Sequence, residues 1–330
     1  MEPRDLQPDI SIVVPTRNRR LLLQRLLERL RAIDDGLCYE VIVVDEASSD
    51  DTPTWLSAQQ WDRSMLRTIR HDQPLGPSGA RNAGLALASA PFVAFIDDDD
   101  LTSPDRLRRQ RDLLLASGDQ WSCSGKVDID DDLRVIGHGT CPDIEGFYER
   151  ILAFNILPAA GQGLLVDTHL VREVGGFDTA ISQAEDWDLC IRLAARSVPV
   201  MLDEPGVGYR TGVASLSTDT TKMEAGITAV LAKHAAERHR VGVEAAWFDI
   251  HRSLLAADLL TSRRRSARRA LLALRTRPST REVARCVVTL IAPRWMGRTQ
   301  LARRVAQVPT EWRRAAEMWL GSSSGPAVRE

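Results

Sequence analysis

Four consecutive aspartates, Asp97-Asp98-Asp99-Asp100, close the apolar run Phe92-Val93-Ala94-Phe95-Ile96. Carboxylates this crowded repel one another and demand a counter-charge. Hard divalent cations such as Mg2+ and Mn2+ take oxygen ligands, commonly one or two carboxylates plus the phosphate oxygens of a substrate. On extended backbone, side chains two residues apart project the same way, so Asp97 and Asp99 share a face while Asp98 turns aside. That is an Asp-x-Asp spacing, suited to a metal that grips a phosphate. The run by itself leaves a second reading open, a solvated acidic loop ahead of the helix that starts near Pro104.

The elements that must position these residues alternate in type along the first two thirds of the chain. Residues 10–14 form an apolar strand ended by Pro15-Thr16-Arg17-Asn18, and leucines at helical spacing follow over 21–30. Residues 40–44 are rich in β-branched side chains and run into Asp45-Glu46-Ala47-Ser48-Ser49-Asp50, whose short polar side chains favour a turn. A weaker strand over 66–70, a helix over 80–90 and a strand over 92–96 complete the approach to the aspartates. Beyond them the pattern predicts a helix over 104–115, strands and turns over 121–139, and a strand over 163–167. A turn at 175–178, a helix over 185–196 and two strands over 198–202 and 207–210 come next. Strands alternating with helices imply an α/β fold, with a mixed, mainly parallel sheet flanked by helices. Ligands of such sheets bind beyond the carboxyl ends of the strands, where Thr16, Asp45 and Asp97 all fall.

From Met223 onward Ala, Leu and Arg recur with helical periodicity, broken near Pro278 and Pro293. Residues 1–222 are therefore expected to form a catalytic domain and 223–330 a basic helical region, with 321–330 disordered. Residues 233–320 hold nineteen Lys/Arg against seven Asp/Glu, although the whole chain of 330 residues carries a formal net charge of only -2. The overall balance points to no nucleic-acid partner. Arg263-Arg264-Arg265 and Arg268-Arg269, with leucines among them, leave two readings open: a solvated helix face, or a basic amphipathic surface for peripheral contact with anionic lipid. Five cysteines, Cys38, Cys123, Cys141, Cys190 and Cys286, show no C-x-x-C spacing and are odd in number, which suits a reducing cytoplasm. No stretch approaches the roughly 20 apolar residues of a membrane span, and the charged N-terminus lacks a signal-type apolar run. A cytoplasmic location is the expectation, with the inner face of the cell membrane as the second placement left open.

Five motifs occur in order: Val13-Val14-Pro15-Thr16-Arg17-Asn18-Arg19, Val43-Val44-Asp45-Glu46-Ala47-Ser48-Ser49-Asp50, Gly79-Ala80-Arg81-Asn82-Ala83-Gly84, Phe95 to Asp100, and Gly175-Gly176-Phe177-Asp178 with Glu185-Asp186-Trp187-Asp188. Together they resemble the family 2 glycosyltransferases, inverting nucleotide-diphospho-sugar transferases of the Rossmann-like GT-A fold. The resemblance implies that Pro15, Thr16 and Arg17 form the turn that holds the base, that Asp45 bonds the nucleoside, and that Arg81 is a cationic partner of the nucleotide. It also implies that Asp97 and Asp98 flank the ribose and sugar, and that Asp99, with Asp97, ligates Mg2+ or Mn2+ at the diphosphate. Asp186 is the expected catalytic base, with Glu185 the alternative, because transfer to a hydroxyl needs a carboxylate to accept its proton. Both open a predicted helix, where acidic residues also serve the helix dipole.

The implied donor is a UDP-, GDP- or dTDP-sugar and the acceptor a saccharide, lipid-linked or small-molecule hydroxyl, as in the synthesis of cell-surface polysaccharide, glycolipid or natural-product glycosides. Two departures from the family pattern stand out. Many members carry a histidine a few residues after the position of Tyr209-Arg210, where this chain reads Thr211-Gly212-Val213-Ala214-Ser215-Leu216-Ser217, and Glu46 replaces the usual aspartate. The third protein ligand of the metal is thus left open. Rival functions are a sugar nucleotidyltransferase, which normally carries a Gly-rich basic loop after its first strand, and a catalytically silent nucleotide-sugar-binding scaffold at the membrane surface.

Overall fold

The computed structural model describes residues 7–59, 61, 65–211, 219–259 and 261–321. The segment expected to lack the histidine, 212–218, and most of the tail expected to be disordered, 322–330, lie outside them. The first third alternates strictly: β1 (Ile10–Thr16), α1 (Arg20–Arg31), β2 (Tyr39–Asp45), α2 (Thr52–Ser57), β3 (Met65–Arg70), α3 (Gly76–Leu87) and β4 (Phe92–Phe95). Then follow β5 (Leu101–Thr102), α4 (Arg106–Ser117), β6 (Trp121–Ile129), β7 (Val135–Gly139), α5 (Phe147–Ala153), a 3-10 turn (Ala160–Gly163), β8 (Leu164–Asp167), α6 (Thr168–Glu173), α7 (Glu185–Ala194) and β9 (Val200–Arg210). Seven helices end the chain: α8 (Thr220–Lys233), α9 (Ala235–Val241), α10 (Trp247–Asp258), α11 (Arg263–Thr276), α12 (Thr280–Ile291), α13 (Pro293–Gln307) and α14 (Thr310–Leu320).

The strands form one mixed sheet in the order β3-β2-β1-β4-β8-β6-β9-β5, with β7 on the side of β6. Its N-terminal half is parallel, and β8 joins β4 to β6 by antiparallel pairing on both sides. In β1 and β2 every residue is buried or nearly so, the signature of a strand covered on both faces. Leu23, Leu26, Leu27 and Leu30 pack α1 onto one face of the sheet with Ile10, Ile12, Val14, Val41 and Val43. Each such side chain contributes about 1.5–3 kcal/mol when fully buried. The opposite face holds Val13, Ile42, Val44 and Phe95 against α3 and α7.

Two differences from the expected elements have local causes. Helix α3 starts four residues earlier than predicted, at Gly76, because Pro77 fits the first helical turn where its missing N–H costs nothing. The two strands expected over 198–202 and 207–210 are one, β9. Pro205 makes it look broken in sequence, but the register shifts opposite Gly125, where Pro205 sits, and this irregularity absorbs the missing donor.

The boundary expected after residue 222 falls inside α8. Helices α8 and α10 deliver Ile227, Val230, Leu231, Ile250 and Leu254 to the same core cluster as Trp187, Leu189 and Phe177. Helix α14 returns to the far end of the sheet, where Trp312, Ala316 and Trp319 cover Leu101, Val127, Ile129 and Val135. Glycines on the strands leave room for the indoles: a Cβ on Gly125 would lie 2.5 Å from the Trp312 ring, and one on Gly208 3.0 Å from that of Trp319.

Candidate functional site

Parallel register places Thr16 beside Asp45 and Val13 beside Phe95, so the polar residues that end β1, β2 and β4 emerge at one edge. A cleft of about 770 Å3 opens there. Pro15, Thr16, Arg17, Arg81, all four aspartates, Glu185 and Asp186 line it. The structure therefore brings together site residues expected from the sequence that lie up to 171 positions apart, counted from Pro15 to Asp186.

Asp98 turns aside as expected, but the run is not extended: β4 ends at Phe95, and the Asp100 N–H donates to the Asp97 carbonyl at 3.2 Å, closing a turn that brings Asp100 to the side of Asp97 and Asp99. Asp98 turns into the protein, where Thr16 Oγ1 donates to its Oδ2 at 2.7 Å and Arg19 to its Oδ1 at 3.1 Å. Burial pushes the Asp98 carboxyl up to about 7, against the pull of Arg19 and Thr16. Asp97, Asp99 and Asp100 gather on the other side, one carboxylate oxygen from each lying within 4.8 Å of the others. Burial, with Asp97 nearby, raises the Asp99 carboxyl, and burial with Asp99 and Asp97 raises that of Asp100 well above the carboxylate range. Three crowded hard oxygen donors whose ionised forms lack sufficient counter-charge fit Mg2+ or Mn2+. Asp97 and Asp99 were expected in this role. Asp100 is an addition, held by the backbone N–H of Arg210, which donates to its Oδ1 at 2.9 Å.

Arg19 is the principal residue that sequence reasoning passed over. It closes the β1 motif yet reaches across to Asp99 Oδ2 at 2.8 Å as well as to Asp98, supplying a cation beside the carboxylates. Gln162, from the 3-10 turn, accepts from the backbone N–H of Asp97 at 2.7 Å. Its own carbonyl accepts from the buried Arg106, whose pKa burial lowers to about 10. Nothing in the local sequence around Gln162 signals this contact, since it arises only when β8 inserts beside β4.

Arg81, on α3, joins the two halves of the cleft. It donates to Asp97 Oδ1 and to Glu185 Oε1, both at 2.7 Å, and is only 6% exposed. Burial opposes its charge, but Asp97 and Glu185 outweigh that and hold its pKa above the usual value. Glu185 is itself raised by burial, against Arg81 and with Asp186 adding repulsion. Both Glu185 and Asp186 sit in the first turn of α7, after Ala184 in left-handed conformation at φ 62°. Asp186 is half-buried at the cleft wall, where the backbone N–H groups of Trp187 and Gly161 donate to its two oxygens at 2.7 and 3.3 Å. Trp187 is packing: it is 1% exposed and its Nε1 donates to the Ile151 carbonyl.

Asp45 lies at the same edge but is 2% exposed and outside the cleft lining. Its oxygens accept from Arg70 at 2.6 Å and from the Ser48 N–H at 2.9 Å. Its neighbour Glu46 does line the cleft, and its Oε2 accepts from the N–H groups of Leu75 and Gly76 while Oε1 meets His71. Glu46 thus pins the entrance to α3.

A parallel strand edge that gathers carboxylates, arginines and a helix-borne acidic pair at one cleft defines a GT-A type of architecture. Residues 11–170 match the model of Glycosyl transferase family 2, and over that stretch, just under half of its length, the chain is a glycosyltransferase of this family. Succinoglycan biosynthesis protein ExoO of Rhizobium meliloti is 40% identical over 116 residues, which covers 35% of this chain and 32% of ExoO, about a third of that relative's length. Among solved structures, Staphylococcus aureus TarS 1-349 in complex with UDP-GlcNAc has a TM-score of 0.55 at 17% identity, over 88% of this chain and 92% of that one. The mannosyltransferase PcManGT from Pyrobaculum calidifontis, in complex with GDP-Man and Mn2+, has a TM-score of 0.55 at 18% identity, over 97% and 88%. At these identities the two structures establish the fold.

Proposed function

We propose that the protein transfers a sugar, with inversion, from a nucleoside diphosphate sugar to an acceptor hydroxyl in the assembly of a polysaccharide or other glycoconjugate. The observation that carries this reading is the placement of Asp186 in one cleft with the triad Asp97, Asp99 and Asp100. The relatives are consistent with it: ExoO is named for succinoglycan biosynthesis, and the two solved structures hold UDP-GlcNAc and GDP-Man.

Asp97, Asp99 and Asp100 would hold the divalent cation, which when bound offsets the charge of a departing diphosphate. The chain's own residues do the rest. Pro15, Thr16 and Arg17 form the wall that receives the base and Asp98 braces that wall through Thr16, while Arg19 stands by the diphosphate. Arg81 engages Glu185 in an ion pair, leaving Asp186 as the group that accepts the acceptor's proton. Two backbone N–H groups fix the Asp186 carboxylate in place without neutralising it. Glu185, tied to Arg81, is a positioning residue in this scheme.

The test is release of nucleoside diphosphate from a panel of UDP-, GDP- and dTDP-sugars with Mg2+ or Mn2+, followed chromatographically. Turnover that needs metal and is lost in Asp99→Asn is the expected result. No turnover and no nucleoside diphosphate binding with either metal would overturn the proposal, and pyrophosphate release from a nucleoside triphosphate would redirect it to a nucleotidyltransferase.

A further inference from the structure

Helix α12 is packed inside out. Its buried positions are Glu282, Cys286 and Thr289, small or polar, whereas of its large aliphatic side chains only Val288 packs inward and the other four are exposed. Val283 is 49% exposed, Val287 47%, Leu290 40% and Ile291 71%. Spaced i, i+4, i+7 and i+8, they form one continuous stripe. Trp295, at the start of α13, extends it with 62% exposure. An apolar stripe of this size on an otherwise ordinary surface marks a contact with something outside the chain.

The charge around the stripe says what that something is. Between residues 259 and 310 the chain has thirteen arginines and a single acidic residue, Glu282. Glu282 is buried and paired with Arg252 and Arg285, so it offsets nothing outside. Arg263, Arg264, Arg281, Arg294 and Arg298 are all exposed. Beside the stripe, Arg263 and Arg294 line a hollow of about 420 Å3 together with Ile291 and Trp295. Arg263 is braced there by donating to the Leu290 carbonyl at 2.9 Å. By contrast, Arg265, Arg268 and Arg269, expected from the sequence to form the basic face of α11, are engaged by Asp258 and Glu224 within the fold. The outward charge therefore lies at the first turn of α11, on α12 and on α13 rather than along the middle of α11.

We infer that the corner between α12 and α13 lies on an anionic lipid surface, with its aliphatic stripe at the acyl boundary and its arginines at the headgroup phosphates. Aliphatic side chains, a tryptophan and unopposed arginines on one face are the combination that an interfacial helix requires. No helix of the described residues is long and apolar enough to cross a membrane, so the contact is in the plane of the surface. A second copy of the chain is a poor occupant, because two faces of like charge would repel. The inference stands whether or not the cleft transfers sugar.

The full chain should be tested by sedimentation with vesicles of phosphatidylcholine alone and of phosphatidylcholine with phosphatidylglycerol in equal parts. Expected is binding to the anionic vesicles that falls steeply with added salt, is at least about tenfold weaker to the neutral ones, and drops by a similar factor in Val287→Asp/Ile291→Asp and in Arg263→Gln/Arg294→Gln. All four positions are exposed, and thermal melting would confirm that the variants stay folded. No preference for anionic vesicles, or undiminished binding in both double variants, would overturn the inference. So would concentration-dependent self-association abolished by Val287→Asp/Ile291→Asp without vesicle binding, which would assign the stripe to a second copy.

Discussion

At the scale of single residues the cleft separates two kinds of carboxylate. Asp98, Asp99 and Asp100 are raised by burial and by one another, whereas Asp186 is fixed by backbone N–H groups. Replacing Asp186 by Asn keeps the shape and removes the proton acceptor. Transfer should fall by about 100-fold or more while nucleoside diphosphate binding, read by calorimetry, stays unchanged. Loss of binding instead would place Asp186 on the donor side. Arg81→Ala should cost more than activity, since it leaves Asp97 and Glu185 facing each other without their shared cation. A drop of about 3–5 kcal/mol in unfolding free energy by denaturant titration is expected for breaking such a buried group of charges. The aspartate run was legible as a cation site because crowded carboxylates need a counter-charge whatever the backbone does, although the turn that adds Asp100 to Asp97 and Asp99 was not foreseen. Arg19 and Asp100 were not legible, because their roles depend on which neighbour each side chain reaches across the cleft.

At the scale of elements, Asp188 ties α7 to the junction of α8 and α9. It is fully buried and accepts from Arg192, Lys233 and His234. Burial works against its charge, yet these partners outweigh it and hold its pKa far below the usual carboxylate range. Glu224 on α8 is likewise drawn down to about 2, chiefly by Arg269. Both folded values lie below the unfolded ones, so the stability they confer is complete above about pH 5 and is lost progressively as pH falls through the unfolded values toward the folded ones. Thermal melting followed from pH 6 to pH 2.5 should show the transition falling mainly below about pH 5, and Asp188→Asn should flatten that fall. The strands and α1 were readable from β-branched runs and leucine spacing, since these patterns report burial directly. Whether Asp188 served as a helix-dipole charge or a tertiary tie was not readable, because Lys233 and His234 lie 45 and 46 residues away.

At the scale of the molecule, the C-terminal helices are walls of the catalytic core as much as an addition to it. Met223, Ile227, Ile250 and Leu254 line the cleft, and the last three also belong to the main core cluster. A chain cut after residue 222 should therefore lack a cooperative thermal transition and bind dyes that report exposed apolar surface. A sharp transition in that fragment would show that the first 222 residues fold alone. The composition change near Met223 was visible in the sequence, but composition reports helical habit and not which surface a helix covers. The same limit explains α12, whose amphipathic pattern is plain in sequence while its orientation is the reverse of the usual one.

The notches at Gly125 and Gly208 that admit Trp312 and Trp319 make the last helix and the far strands a matched set. Replacing Gly125 by Ala should loosen α14, and Trp312→Ala in the same chain should relieve the part of the strain that the indole causes, leaving the part due to the Glu204 carbonyl, 2.8 Å from the added Cβ. A double-mutant cycle should show the two changes to be non-additive. Through descent, then, the first position is doubly constrained: a relative that acquires a side chain there must both shed the indole at the second and shift the Glu204 carbonyl, or give up its terminal helix.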